Sequence, residues 1–323
     1  MSDSKGDQTD IPAAADSVRW LITGGSGLLG SNAARLLSVS GDVVCSARST
    51  PPQSPFPFIT AKLEDAASRD GLVSKASATA VFHSGAVASI EGCAADPALA
   101  HRINVEAAAD LARQSLRNNA AFVYISTDAV FDGTAGNYSE TSPTSPTSEY
   151  GRTKVRGEQT VLDANPNALI ARVNFYGWSP TGRRSLAEFF FNRLSAGQET
   201  PGFTDTSVST LQVSYLVAAL RELVTAGTSG IVHVASSEST TKFDFGQRLA
   251  HEFGFNPDLV VPQKSTDHLQ FQRGSNLGLL TDLVQKLLGR PMSTQRDGLQ
   301  RLRAELDSGV PSFVTRFNTT IGQ

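Results

Sequence analysis

Short apolar runs alternate with stretches of helical periodicity through the first half of the chain. Val18-Arg19-Trp20-Leu21-Ile22-Thr23 is an apolar run ending in Gly24-Gly25-Ser26-Gly27, after which Leu28, Leu29, Ala33, Leu36 and Leu37 recur at helical spacing. That is strand, tight turn, helix. Val43–Ser46, Ala80–His83 and Phe122–Ile125 repeat the strand signal, each followed by small residues. A helix is predicted from about Pro97 to Asn118, with Leu99, Ile103, Val105, Ala109, Leu111 and Leu116 facing inward. Strands alternating with helices predict an α/β fold with a Rossmann-type, doubly wound parallel sheet.

The pattern changes further along. The Pro- and Ser-rich stretch from Gly133 to Ser148 reads as loop, and beyond Leu169–Val173 the alternation weakens. Helices are predicted near 186–196, 213–224 and 242–253, with a strand at 230–234. The expected organisation is a polar tail over 1–17, a dinucleotide-binding domain over 18–172, and a smaller, irregular substrate-binding region over 173–323. Some segments of that last region return to the sheet, and the rest cap its carboxyl edge, where open α/β sheets bind ligands. The tail reads as disordered, with an arm in a subunit contact as the alternative.

Composition narrows the partners. The 323 residues are 40% hydrophobic and 18% charged with a net charge of −3, and the basic residues are dispersed, so no footprint for nucleic acid or an anionic membrane exists. No segment has the length and apolarity of a membrane span or signal peptide. Cys45 and Cys93 stand alone in apolar or small-residue stretches, and the five histidines show no ligand spacing, so neither a disulfide framework nor a metal site is expected. The picture is a cytoplasmic protein with a small-molecule partner; a homodimer is left open.

Two constellations carry chemistry. Gly24, Gly27 and Gly30 form G-x-x-G-x-x-G between a strand and a helix, where bare backbone admits a pyrophosphate at the helix N-terminus. The bland alternative is an ordinary tight turn. After the second strand comes Ser46-Ala47-Arg48-Ser49, with no carboxylate for a ribose diol. Arg48 suits a 2′-phosphate, which favours NADP(H), against the alternative of a solvated surface arginine. Tyr150 and Lys154 lie four apart on one helix face, downstream of Ser126-Thr127-Asp128. A nearby ammonium lowers a tyrosine pKa, so Tyr150 is expected to exchange a proton with a carbonyl or alcohol oxygen while Lys154 also holds the nicotinamide ribose. Thr127, rather than Ser126, is expected to donate to the same oxygen. A chance surface pair is the competing reading of Tyr150 and Lys154; the order of the motifs argues against it.

These residues resemble the extended short-chain dehydrogenases/reductases, and within them the dTDP-4-dehydrorhamnose reductase branch. The resemblance rests on Ile22–Gly30, on Val81-Phe82-His83-Ser84-Gly85-Ala86 with Asn104-Val105-Glu106, and most specifically on Ser126–Gly133, Tyr138-Ser139-Glu140, Pro146 and Tyr150–Lys154 ending in Gly157-Glu158. It implies Thr127, Tyr150 and Lys154 as the catalytic set. It also implies Ser26, Leu28, Leu29, Leu63, Ser84, Gly85 and Ala86 around the cofactor, and Asn104 there or in support of the active-site helix. Asp128, Val130, Trp178 and Arg273 are the further substrate candidates, Trp178 by stacking and Arg273 on a diphosphate, with a surface arginine as the alternative at 273.

The implied reaction is NADPH-dependent reduction of a keto group on a nucleotide-linked deoxysugar of the dTDP-4-keto-6-deoxyhexose type, or on a similar polar ketone. The related dehydratases carry an Asp-Glu pair where this chain has Asp128-Ala129, so elimination lacks its second carboxylate. Ser214 stands where the branch has an acid, and the Arg172–Gly177 segment is one residue short of the family form, which implies a reshaped pocket wall there. An epimerase and a non-catalytic dinucleotide-binding subunit, like the beta subunit of methionine adenosyltransferase, are the alternatives. Asp128 and Asp132 also read as turn residues, and Phe189–Phe191 as core, with a pocket wall or subunit contact as the alternative.

Overall fold

The structure, a computed structural model, describes residues 18–265 and 275–319. The tail predicted over 1–17 and the candidate Arg273 lie outside the described residues. Seven parallel strands form the central sheet: β1 (Val18–Thr23), β2 (Gly41–Ala47), β3 (Phe58–Thr60), β4 (Ala80–His83), β5 (Ala121–Thr127), β6 (Leu169–Val173) and β7 (Gly230–Val234). Their spatial order is β7-β6-β5-β4-β1-β2-β3. Strand order reverses beside β1, so the carboxyl ends of β1 and β4 open the crevice in which such sheets bind ligands.

Burial explains the strand sequences. Every residue of β4 and β6 is buried, because helices cover both faces, and such strands read as continuous apolar runs rather than alternating ones. On one face α1 (Leu28–Leu37) packs its Ala33, Ala34 and Leu37 into a core shared with Leu216, Leu220 and Leu223. On the other face Leu111, Ala112 and Val161 pack against Phe122, Tyr124 and Ile170. Each fully buried leucine contributes roughly 1.5–3 kcal/mol. A third, aromatic core of Tyr176, Trp178, Phe190, Phe245 and Phe253 holds the C-terminal lobe together.

The helix predicted from 97 to 118 is interrupted. An α-helical turn at Pro97–His101 passes into a π-helical segment, Arg102–Ala107, before α-helix resumes at Ala108–Arg117. π-Segments are rare and concentrate at functional sites. This one buries Asn104, while Leu116, expected inside, is 44% exposed beyond the bend. The edge strand β3 carries only three residues and gives too short a pattern to read from sequence. The helices that matter below are α2 (Ile90–Ala95), α3 (Ala108–Arg117), α4 (Glu149–Ala164), α5 (Leu186–Ser195), α6 (Val213–Thr225), α7 (Lys242–Phe253) and α8 (Gln295–Asp307). Strand β7 returns the C-terminal half of the chain to the sheet beside β6.

Candidate active site

The turn between β1 and α1 bends at Gly24, whose φ of +69° is left-handed, and a side chain there would come within 2.8 Å of the Gly85 backbone. The turn of β1 is thereby pressed against the end of β4. Gly27 differs: a methyl group there would meet only the Gly24 carbonyl, at 3.2 Å, so its bare backbone faces open space. No side chain caps α1 at Gly27 and its first turn holds no acid, so free N–H groups and the positive end of the helix dipole face that space. Leu28 and Leu29 put their side chains into the core, leaving only their backbone for a ligand. Leu63 lies against Gly85, and Ser84 Oγ donates to the Thr23 carbonyl at 2.7 Å. Arg48, just past β2, is exposed.

Thr127 ends β5, and Ser148 caps α4 by accepting from Gly151 N at 3.1 Å. One cavity of about 520 Å³ is lined by Thr127, Asp128 and Tyr150 together with residues of the C-terminal lobe. Thr127 Oγ1 donates to Asp128 Oδ1 at 3.0 Å, and Asn174 Nδ2 donates to Asp128 Oδ2 at 2.6 Å. Burial drives the Asp128 carboxyl up to about 6 against those two hydrogen bonds. This aspartate belongs to the cavity wall, beyond the turn role its position suggested.

The electrostatics of the tyrosine and lysine differ from the sequence expectation. Burial pushes the Tyr150 phenol up, with the hydrogen bond to Thr127 working against it, and Tyr150 is a neutral phenol. Lys154 Nζ donates to the Ile125 carbonyl at 2.6 Å and lies 3.9 Å from the centre of the Tyr124 ring. Burial brings its ammonium down to about 7, opposed by the Glu158 carboxylate one turn further along α4. A neutral phenol is the form that gives a proton, as reduction of a ketone requires.

Asn104, offered as a cofactor ligand, uses its side chain otherwise. Its Nδ2 donates to Thr153 Oγ1 and to the Val87 carbonyl, both at 3.0 Å, and its Oδ1 accepts from Val87 N at 2.9 Å. It ties the loop after β4 to α4, so it supports the active-site helix. Close approach of that helix also needs Gly157, where a methyl group would fall 2.1 Å from Tyr124 Oη.

Two substrate candidates are not at the cavity. Trp178 is buried in the aromatic core, donating its indole N–H to the Leu302 carbonyl at 3.2 Å and packing edge-on against Phe191 and Phe253. Val130 is fully buried beside Phe131 and Tyr138, and Phe131 lines the cavity instead. The cavity wall includes Arg184 and Lys242, which the sequence did not single out, and Asn174 and Phe189, which lie in segments it offered as pocket wall. The Phe189–Phe191 run divides: Phe190 is core, whereas Phe189 is 42% exposed on the cavity. Asn174 falls in the short segment after β6 that the sequence marked as a reshaped wall. Ser214 receives its acid from another element, donating to Glu305 Oε1 of α8 at 2.5 Å. Among the described residues no cluster of side chains could hold a metal ion, and no helix is long and apolar enough to cross a membrane.

Comparison with known proteins places these features in a wider set. The family model described as the RmlD substrate binding domain matches residues 18–308. The chain is 34% identical over 251 residues to a probable low-salt glycan biosynthesis reductase, Agl14, of Haloferax volcanii, covering 76% of this chain and 84% of that protein. It is 32% identical over 200 residues to a dTDP-4-dehydrorhamnose reductase of Mycobacterium tuberculosis, covering 60% of this chain and 64% of that one. The crystal structure of a Bacillus anthracis dTDP-4-dehydrorhamnose reductase in complex with NADP superposes with a TM-score of 0.80 at 22% identity, over 90% of this chain and all of that one.

Proposed function

This chain belongs to the RmlD substrate binding domain family, and from that premise we propose that it is an NADP(H)-dependent reductase of a keto group on a nucleotide-linked sugar. One observation carries the reading: Thr127 and Tyr150 line one wall of a cavity of about 520 Å³ at the carboxyl edge of the sheet, with Lys154 a helical turn behind Tyr150. The names of its relatives, all three of them reductases and one of these bound to NADP, support it.

The residues present fit a dinucleotide. Gly27 leaves space beside the uncapped start of α1 for a pyrophosphate, and Arg48, exposed just past β2, is the cation we assign to a 2′-phosphate. When bound, the reduced nicotinamide supplies a hydride. Tyr150 donates its phenolic proton to the ketone oxygen, and Thr127 Oγ1 orients that oxygen. Lys154 stabilises the phenolate left on Tyr150 and holds the ribose. Asp128 and Asn174, joined at 2.6 Å, present a carboxylate and an amide to the sugar hydroxyls. We take the dTDP-4-keto-6-deoxyhexoses as the substrate class, and the division at residue 172 as cofactor side and substrate side.

The test is the loss of nicotinamide absorbance when the purified protein meets NADPH and a freshly generated dTDP-4-keto-6-deoxyhexose. Substrate-dependent oxidation is expected. NADPH binding without oxidation across a panel of nucleotide-linked ketones would overturn the reductase reading in favour of a non-catalytic dinucleotide-binding subunit.

A further inference from the structure

Behind the catalytic face lies a buried charge pair that the proposed reaction does not use. Arg172 of β6 and Glu158 of α4 are 3% and 4% exposed, and their side chains meet in a fork: Nε to Oε1 at 3.0 Å, Nη2 to Oε2 at 2.7 Å. Ser126 Oγ, one residue before Thr127, donates to the same Glu158 Oε1 at 2.5 Å. One glutamate therefore joins β5 and α4, which carry Thr127 and Tyr150, to β6, whose chain runs directly into Asn174. A buried pair of this kind seldom adds stability over a well-packed apolar substitute, so its chemistry asks for another role. Glu158 is also one turn from Lys154, on the same face of α4.

Resting on the reductase reading above, we propose that Glu158 and Arg172 are positioning residues, a buried pair that holds Lys154 as an ammonium and sets the alkaline limit of the reaction. Cys93 also favours the ammonium, but only as a thiolate, and among the described residues no neighbour of Lys154 other than Glu158 carries a carboxylate toward it. His83 of β4 is buried and kept neutral, Tyr124 of β5 offers its ring face, Cys93 of α2 is a buried thiol pushed up by burial, and Asn104 of the π-segment is neutral. Tyr150, on its own helix, is a neutral phenol, and Asp128, beyond Tyr150, acts on that phenol. Glu158 is thus the carboxylate that opposes the desolvation of Lys154, and Arg172 is the cation forked onto that carboxylate.

The sign follows from which charge is removed. Glu158→Gln keeps the shape and an acceptor for Ser126 but leaves Arg172 as a bare cation, so Lys154 loses its proton at lower pH. Arg172→Gln leaves the Glu158 carboxylate unshared, so Lys154 holds its proton to higher pH. Each displacement should be about one pH unit. The Lys154 titration is read by NMR on protein carrying 13C-labelled lysine, its resonance assigned by disappearance in Lys154→Met, alongside the pH profile of kcat. Opposite displacements in the two variants support the proposal. Unmoved titrations, or displacement in the same direction in both, overturn it, because a merely structural pair would lower amplitude and stability without moving a midpoint in two directions. The resonance needs no substrate, so opposite displacements in a protein with no turnover would fault the reductase reading and leave the charge pair standing.

Discussion

The two walls of the cavity are built by different rules. On the wall formed by β5 and α4, polar groups are joined to one another or to backbone: Thr127 to Asp128, Asp128 to Asn174, Lys154 to Ile125, Ser126 to Glu158. On the wall from the C-terminal lobe, Arg184 is exposed, Phe189 is 42% exposed and Lys242 is half-buried. Rigid, mutually satisfied groups suit a reaction whose atoms must stay in register, since small misplacements cost large factors in rate. Accessible side chains suit recognition, where sequence can change without unfolding the protein. Under the proposed function, the chemistry falls to the first wall and substrate choice to the second.

The sharpest way to break that division is Tyr150→Phe. If the first wall performs proton transfer, turnover falls by about 10³-fold while the dissociation constant for NADPH changes by less than about threefold. Stopped-flow oxidation and a fluorescence titration of NADPH read the two quantities separately. Full turnover in the variant would remove the first wall from the chemistry.

Asp128 tests what the first wall's order costs. Its carboxyl is raised from 3.8 to about 6 in the folded protein, so between those values the native state binds more protons than the unfolded chain. Stability from this group is present below the unfolded value and is lost as pH rises through about 6; by pH 7.5 the buried charge costs about 3 kcal/mol. Asp128→Asn should therefore be more stable than the parent to urea at pH 7.5, with the gap closing toward pH 4. An equal gap at both pH values would show that the charge is not the source.

The nucleotide end behaves like the second wall. Arg48 is exposed, and Arg48→Ala should weaken NADPH about tenfold and leave NADH unchanged, as isothermal titration would show. Equal weakening of both would assign Arg48 a place on the pyrophosphate.

These contrasts track what the sequence disclosed. The strands, the glycine turn and the placement of Thr127 at a strand end and of Tyr150 and Lys154 on one helix were legible because each is local: an apolar run, three glycines at fixed offsets, two residues on one helix turn. The π-segment was not, since its period departs from helix by a single inserted residue and the contacts Asn104 makes from it, to Val87 and Thr153, are tertiary. Glu305 was invisible beside Ser214 for the same reason, being 91 residues away in sequence. Arg184 and Lys242 looked like any surface cations until the lobe brought them to the cavity. Trp178 misled because an aromatic after a strand end looks the same whether it faces a ligand or a core, and only the placement of α5 and α7 decides.

That last ambiguity yields the finest test, a pair of substitutions two turns of argument apart on the same lobe. Trp178→Phe removes an indole N–H from the buried Leu302 carbonyl and thins the packing against Phe191 and Phe253. An unpaired buried acceptor and a small void together cost about 1–2 kcal/mol, so the denaturation midpoint falls. KM should not change, because Trp178 does not line the cavity. Phe189→Ala reverses the pattern: a half-exposed ring contributes little to stability, within about 0.5 kcal/mol, while its loss from the cavity wall raises KM severalfold. If instead Trp178→Phe raised KM and Phe189→Ala lowered stability, the boundary between core and recognition wall would run on the other side of α5, and the aromatic expected from sequence would be the one that meets the sugar.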